Sequence, residues 1–151
     1  MLPLEQRLRR FDGFRAFPES DVRALVRAMV VEHYPDGHVF VAEGAKGRAV
    51  FVVLQGEVDV LRYDGATGAT LRLKTLRDGE LFGLLSLIEH LPAAATCVAR
   101  GEVSAAHLSA SAFSLLADSA APIARHFQYL VAQQLARDIT DRNRALRALL
   151  G

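Results

Sequence analysis

The sequence predicts a mainly β domain with flanking helices, in which a double-stranded β-helix (jelly-roll) barrel lies between N-terminal helices and a long C-terminal helix. Between residues 34 and 99, glycines divide the chain into segments of strand length, whereas apolar residues at helical spacing occupy both ends. Regular short strands separated by glycine turns are typical of barrels and jelly rolls. We expect a single domain over residues 1–151, with N-terminal helices over 1–30, a barrel over 31–108 and C-terminal helices over 109–150.

Two helices are predicted before the barrel. Apolar residues Leu4, Leu8 and Phe11 recur at helical spacing and predict a short first helix that ends before Gly13. The second helix is expected to be capped by Ser20 and to end near Val30. Its single apolar face comprises Val22, Leu25, Val26 and Met29.

Seven short segments are predicted to be strands. They are VEHY, HVFVA, AVFVVL, EVDVLRY, TLRLKTL, AATCVA and VSAAHL. Alternation predicts that Val58 and Val60 on one strand share a buried face with Leu71 and Leu73 on the next. The sequence YDGATG between them predicts a hairpin with Asp-Gly turn chemistry.

The C-terminal region predicts a short helix capped by Ser109 or Ser111, then a long helix that starts at Pro122 and runs almost to Leu150. An early apolar arc is expected to pack on the barrel, and it comprises Ile123, Phe127, Leu130 and Val131. A later seam, interrupted by Arg142, predicts a homodimer. This seam comprises Ala132, Leu135, Ile139, Leu146 and Leu149. A helix that folds back on its own domain is the alternative explanation of the seam.

The composition limits the classes of partner. The 18 basic and 17 acidic residues give a net charge of +1, so no overall field favours nucleic acid or an anionic membrane. The single cysteine, Cys97, excludes an intrachain disulfide and multi-cysteine metal sites, and we expect it to be a small buried hydrophobe. The chain has neither a run of about 18 apolar residues nor a signal-peptide centre. We therefore expect a cytoplasmic protein without membrane contact.

Several short motifs follow one another in a specific order and spacing. They are Tyr34-Pro35-Asp36-Gly37, Val39-Phe40, Glu43-Gly44, Val50 to Leu54 with Gln55-Gly56-Glu57-Val58-Asp59-Val60, Leu76 with Gly79-Glu80, Phe82-Gly83, and Pro92 with Ala94-Ala95-Thr96. This order resembles the cyclic nucleotide-binding domain of the Crp/Fnr (catabolite activator protein-like) family. The resemblance implies a β-barrel whose small ligand lies between the barrel and the C-terminal helix. It also implies that residues 82–96 form a phosphate-binding cassette.

The cassette lacks the two charged side chains that the resemblance implies. In the family pattern a carboxylate follows Phe-Gly and binds the ribose, and an arginine follows the proline and binds the cyclic phosphate. Here those positions hold Leu84 and Ala93. Hydrogen bonds to charged groups contribute about 1.5–3 kcal/mol each, so their loss lowers affinity by about two to four powers of ten. We therefore expect no usual binding of cyclic AMP or cyclic GMP.

The candidate ligand-binding residues are those of the cassette frame. They are Gly83, Leu84, Leu85, Ser86, Ala93, Ala94, Ala95 and Thr96. Arginines on neighbouring strands could replace the missing charge, but we expect each to be solvated. These arginines are Arg48, Arg62, Arg72 and Arg100.

Three interpretations of the site remain open. A regulatory domain that senses an apolar or aromatic effector fits a cavity made apolar by Leu84 and Ala93. Haem is a minor variant of it, with candidate ligands His33, His38, His90, His107, His126 and Cys97 at no diagnostic spacing. A ligand-free scaffold for dimerisation or protein interaction is the second interpretation. An open apolar cavity would favour the sensor, and a pocket closed by Leu84 and Leu85 would favour the scaffold.

The third interpretation, a cupin metalloenzyme, needs a His-x-His pair, but the sequence offers only His38 with Glu43. Catalytic serine, zinc and P-loop motifs are absent as well, so we expect no enzyme. Direct DNA binding is not expected either. Relatives use a helix-turn-helix module after the long helix, whereas this chain ends at Gly151.

Overall fold

The computed structural model describes residues 2–83, 87, 92–118 and 122–150, and it shows antiparallel β-structure flanked by helices. The helices are α1 (Leu4–Arg9), α2 (Glu19–Ala28), α3 (Ala110–Asp118) and α4 (Pro122–Leu150), with one 3-10 turn at Asp12–Phe14. The strands are β1 (Val30–Tyr34), β2 (Val39–Val41), β3 (Ala49–Tyr63), β4 (Thr70–Leu76), β5 (Leu81–Phe82) and β6 (Thr96–Ser109).

The two long strands β3 and β6 form the centre of the sheet. Along the sheet the order is β1-β6-β3-β4, while β2 pairs with β6 and β5 pairs with β3, all antiparallel. The β3–β6 register extends from Ala49 opposite Ser109 to Leu61 opposite Thr96. The predicted class, mainly β with flanking helices, is confirmed, and the topology is consistent with a jelly roll.

Two glycines bend the long strands at places where the sequence predicted breaks. Gly56 in β3 has a φ of +113°, and the β3–β6 register shifts between Val53 and Gln55 and again between Gln55 and Glu57. A Cβ at this position would lie 2.7 Å from the carbonyl oxygen of Glu102, so only glycine fits. Gly101 in β6 has a φ of +73°. The predicted pairs AVFVVL with EVDVLRY, and AATCVA with VSAAHL, are therefore single bent strands.

The predicted inner face of β4 is wrong. Leu71 and Leu73 are 51% and 54% exposed, whereas Leu76 is buried opposite Val58. Successive side chains of a strand alternate between its faces, so Leu73 and Leu76 point in opposite directions. The buried face of β4 is the one that carries Leu76. The burial of Val58 is as predicted.

One of the predicted helix caps is wrong and another is confirmed. Ser20 lies inside α2, and at the start of this helix the carbonyl of Pro18 accepts a hydrogen bond from the backbone N–H of Asp21. The fixed φ of proline suits this position, and no side-chain cap is formed there. Before α3, the Ser109 hydroxyl accepts a hydrogen bond of 3.2 Å from the backbone N–H of Ala112, which is an N-cap.

The β3–β4 hairpin is closed by an aspartate side chain. The Asp64 carboxylate accepts hydrogen bonds from the Ala66 N–H at 3.0 Å and from the Thr67 hydroxyl at 2.9 Å. These bonds lower the pKa of Asp64. The left-handed residue of the turn is Gly68, with a φ of +74°, rather than the Gly65 of the predicted Asp-Gly pair.

Two apolar clusters form the core. One joins the helices to one side of the sheet and includes Leu8, Phe14, Leu25, Val50, Val52, Leu87, Leu108 and Leu130. The other fills the barrel and includes Val53, Val58, Leu76, Phe82, Cys97, Ala99 and Val103. The barrel interior is thus packed at this level, which gives the candidate site a rigid wall.

The first half of α4 is attached to the N-terminal helices. Leu130 is buried in the first cluster, and the His126 Nδ1 atom lies 2.7 Å from the Asp21 Oδ2 atom on α2. Farther along, Ile139 and Leu149 are 60% and 83% exposed. The side chains of Leu135 and Leu146 lie outside the described residues. None of the helices in the described ranges is both long and apolar enough to cross a membrane.

Candidate ligand-binding site

The first part of the cassette frame is fixed against β3. Phe82 stacks on Phe51 with ring centroids 4.9 Å apart and planes 10° from parallel. Gly83 follows with a φ of +84°, and a Cβ there would lie 2.6 Å from the Ala49 carbonyl oxygen. Both the left-handed backbone and this close approach require glycine. The Phe-Gly pair is therefore a geometric element of the cassette and not only a sequence match.

The return segment is bonded to the loop after β2. The Ala93 N–H donates to the Ala45 carbonyl at 2.9 Å, and the Gly44 N–H donates to the Ala93 carbonyl at 2.8 Å. The Thr96 hydroxyl accepts a bond of 3.0 Å from the Glu43 N–H. Ala93 is buried, so the position at which the family pattern has arginine presents a methyl group within the protein.

The other predicted cassette residues divide into described and undescribed ones. Ala94 is exposed and Ala95 is partly buried. Leu84, Leu85 and Ser86 lie outside the described residues. Whether Leu84 and Leu85 close the pocket, which would separate the sensor from the scaffold, therefore stays a prediction.

A row of four side chains crosses the inner wall of the barrel next to the return segment. Val41 on β2 is opposite Cys97 on β6, Cys97 is opposite Val60 on β3, and Val60 is opposite Lys74 on β4. Residues directly opposite each other on neighbouring strands project from the same face. Cys97 immediately follows Thr96, the last residue of the cassette frame. The wall at the cassette therefore carries three small or branched side chains and one lysine, half-buried at the β4 end.

The electrostatics of the row come from burial and from this lysine. Burial raises the pKa of the Cys97 thiol to about 12, and the positive charge of Lys74 opposes part of that rise. Cys97 is thus a neutral thiol at physiological pH, as expected for a buried hydrophobe.

Lys74 was missed because the sequence analysis placed Leu71 and Leu73 on the buried face of β4, and alternation then places Arg72 and Lys74 on the solvent face. The signal that could have found it is Leu76, which lies two residues later on the same face.

The arginines on neighbouring strands are solvated, as expected. Arg48, Arg62, Arg72 and Arg100 are all exposed. Arg100 also donates through Nε to the Asp59 carboxylate at 3.0 Å.

The residues considered for metal or haem binding have other contacts. The His38 ring packs at 4.6 Å from the Tyr34 ring and 4.9 Å from the Phe40 ring. The Glu43 carboxylate accepts a hydrogen bond from the Tyr63 N–H at 3.1 Å. Within the described ranges, no group of three or more His, Cys, Asp and Glu side chains could hold a metal ion.

The remaining histidines are dispersed over the described part of the fold. His33 bonds Ser104 at 2.7 Å, His126 bonds Asp21, and the His107 ring lies 5.8 Å from the Phe51 ring. His90 lies outside the described residues. The contacts of these side chains are structural, and none of them joins the row beside the cassette.

An open cleft of about 330 Å³ lies between α1 and the strands, and it is distinct from the cassette. Its lining residues are Leu2, Arg7, Arg10, Phe11, His33, Leu54, Gln55 and Ser104. None of them belongs to the cassette or to the row of Val41, Cys97, Val60 and Lys74.

A family profile described as "Cyclic nucleotide-binding domain" matches residues 31–119, which contain the barrel, the cassette and α3. The chain belongs to this family. Cyclic nucleotide-binding domains are regulatory modules, and the Crp/Fnr-like resemblance of the sequence is confirmed.

Similar proteins include regulators from fungi and bacteria. Over 108 residues the chain is 30% identical to the cAMP-dependent protein kinase regulatory subunit of Neurospora crassa, which covers 72% of this chain and 27% of that protein. A crystal structure of a cyclic nucleotide-binding domain from Methylobacillus flagellatus is 26% identical, with a TM-score of 0.84 and coverage of 98% of this chain and 83% of that one. The crystal structure of the Thermus thermophilus catabolite activator protein is 26% identical, with a TM-score of 0.75, and the match covers 91% of this chain and 62% of that one. This cyclic nucleotide-binding domain thus spans about a quarter of the length of the curated relative.

Proposed function

We propose that this cyclic nucleotide-binding domain is a cytoplasmic, non-catalytic regulatory module that senses an effector other than cyclic AMP or cyclic GMP bound in the usual mode. The observation that supports this most is the contrast within the cassette. Its backbone frame at Gly83 and Ala93 is held by close contacts and hydrogen bonds, while the arginine position presents a buried methyl group. A cassette with apolar residues at both positions where the family pattern has charged ones suits an effector with an apolar or aromatic body.

The proposed output is a change in the position of α4. Its first half contacts α2 and the helix–sheet cluster, so a ligand that binds one position of the helix better than another would shift the balance between them. The domain itself is proposed not to bind DNA directly.

Calorimetric titration with cyclic AMP, cyclic GMP and cyclic dinucleotides tests the specificity. Wild-type protein should bind cyclic mononucleotides more weakly than micromolar, and Leu84→Glu with Ala93→Arg should strengthen that binding by about two to four powers of ten. The matched control is Leu84→Glu with Ala94→Arg, which adds the same charges but places the guanidinium on an exposed neighbour. It should gain little.

The outcomes of this titration separate the possibilities. Micromolar binding of an unmodified cyclic mononucleotide to wild type would overturn the proposed specificity. No gain in a folded Leu84→Glu, Ala93→Arg variant would mean that the pocket differs by more than two side chains. Binding of no small molecule would favour the alternative function, a ligand-free scaffold.

The second half of α4 is proposed to form a homodimer. Ile139 and Leu149, two members of the predicted seam, are exposed apolar side chains. Ile139→Asp with Leu149→Asp should therefore give monomers in sedimentation velocity, while the exposed off-seam change Gln133→Asp should not. An unchanged dimer in the double variant would exclude the seam as the interface.

A further inference from the structure

The chain contains two lysines in very different surroundings. Lys46 lies in the exposed loop between β2 and β3, whereas Lys74 is half-buried on the inner wall of the barrel. We propose that Lys74 provides the counter-charge for an acidic group of the effector, so that the ligand combines an apolar body with one carboxylate, sulfonate or phosphate. This inference rests on the proposed effector-sensing function and narrows its ligand class.

The neighbouring residues determine the direction of the Lys74 side chain. Val60 lies directly opposite it on β3, and Leu76 follows two residues later on the same face of β4. Leu76 is fully buried, and Val60 is packed against the barrel cluster. The register shifts only beyond Val60, so the alternation between Lys74 and Leu76 is regular. The lysine therefore starts on the inward face rather than among the exposed Leu71 and Leu73.

The position of Lys74 along the wall brings its charge close to the cassette. It lies at the β4 end of the row that passes through Val60 to Cys97, the residue after the cassette frame. Burial raises the pKa of the Cys97 thiol, and the positive charge of Lys74 opposes part of that rise, in agreement with the position of both residues on this row. The aliphatic stem of a lysine packs on apolar side chains while its ammonium turns toward the more polar side. A ligand that lies on Val60 beside the cassette would meet that ammonium at its edge.

The chemistry of an ammonium differs from that of the arginine in the family pattern. A guanidinium forms two parallel bonds and so selects the geometry of a phosphate, whereas an ammonium is a compact point charge that accepts many acidic groups. Partial removal of water at the wall strengthens such a bond. With an alanine methyl at position 93 and an ammonium at position 74, the site would favour ligands that carry a negative charge and an apolar surface, and it would not select for the geometry of a phosphate.

Two fluorescent probes with similar aromatic bodies test the inference. They are the anion 1-anilinonaphthalene-8-sulfonate and the neutral N-phenyl-1-naphthylamine. Wild type should bind both probes. Lys74→Met should lower the affinity for the anion by roughly 10- to 100-fold and change the affinity for the neutral probe by about twofold or less. Lys46→Met is the matched control and should change neither affinity.

Labelling of the wild-type protein gives a second readout that does not depend on the folding of a variant. Acetylation of lysines, followed by mass spectrometry, should show that the anionic probe protects Lys74 but not Lys46. Lys74→Arg, which keeps the charge, should retain most of the affinity for the anion.

The possible failures are distinguishable. If both probes bind but Lys74→Met leaves the anion unaffected, or the anion fails to protect Lys74, the role of Lys74 is wrong and the apolar pocket stands. If neither probe binds folded wild type, the effector-sensing function itself is overturned, and the inference falls with it.

Discussion

Gly83→Ala tests how closely the cassette is held against the long strand β3. The backbone at Gly83 is left-handed, and an added Cβ would lie 2.6 Å from the Ala49 carbonyl oxygen. Gly37 has almost the same φ, +83° against +84°, but a Cβ at Gly37 would meet no atom within 4 Å. The two substitutions therefore share the conformational penalty and differ in the steric one.

The magnitudes follow from these two contributions. A left-handed conformation costs a residue with a Cβ about 1–2 kcal/mol, so Gly37→Ala should lower the free energy of unfolding by about that amount. At Gly83 the contact with a backbone oxygen requires the strand or the turn to move, which adds about 1–3 kcal/mol. The lower entropy of alanine in the unfolded chain affects both variants equally and cancels in the comparison.

Urea denaturation of the two variants and wild type measures the difference. The midpoint should fall further for Gly83→Ala than for Gly37→Ala, with an unchanged slope, because the surface exposed on unfolding stays the same. In thermal unfolding, an extra 1–3 kcal/mol corresponds to a melting temperature lower by about 2–12 °C for a chain of this size. Equal losses at both positions would show that the Ala49 carbonyl is not held against Gly83.

Three further predictions concern β4, the thiol and the hairpin. Leu71→Ser and Leu73→Ser should each lower the free energy of unfolding, measured in urea, by less than about 1 kcal/mol. Leu76→Ala should lower it by about 2–5 kcal/mol because Leu76 is buried. Equal losses at the three positions would contradict the assigned faces of β4. Because burial raises the pKa of Cys97 to about 12, the native protein should react with a disulfide reagent at pH 8 only after denaturation, and rapid native labelling would contradict this. The lowered pKa of Asp64 contributes stability that is present above the unfolded pKa of about 4 and is lost as pH falls through the folded value. Unfolding measured between pH 2 and 6 should therefore depend less on pH in Asp64→Asn, and identical profiles would contradict the assigned hydrogen bonds.

Local sequence patterns predicted where strands and helices occur, but they did not predict that two pairs of strands would each be one long strand. Gly56 and Gly101 look like strand ends because glycine is common in turns, but here each allows a long strand to bend without losing its partner. That outcome depends on the neighbouring strand, which is distant in sequence. The capping role of Ser109 follows from local chemistry and was predictable, whereas Ser20 lost its place to a proline only two residues earlier.

The candidate site shows the same division. The order of the cassette motifs indicated Gly83 and Ala93, since both are defined by neighbours in the sequence. Lys74 is placed near the cassette only by strand pairing, because it lies opposite Val60, and Val60 lies opposite Cys97. Both pairs join residues that are distant in the sequence. The faces of β4 were assigned incorrectly because Leu71 and Leu73 suggested one buried face, whereas the only leucine on the face that is buried is Leu76.

The pairing of β3 with β6 also has a consequence for how the cassette can evolve. The cassette connects β5 to β6, and β3 holds both ends of this connection, through Phe82 opposite Phe51 and Thr96 opposite Leu61. The entropy of closing such a loop changes slowly with its length, and the closure does not depend on which side chains the loop carries. Exposed positions of this connection, such as Ala94, can therefore change while Gly83, Ala93 and the paired strands maintain the fold. A domain of this design is able to exchange one ligand chemistry for another without first becoming unstable.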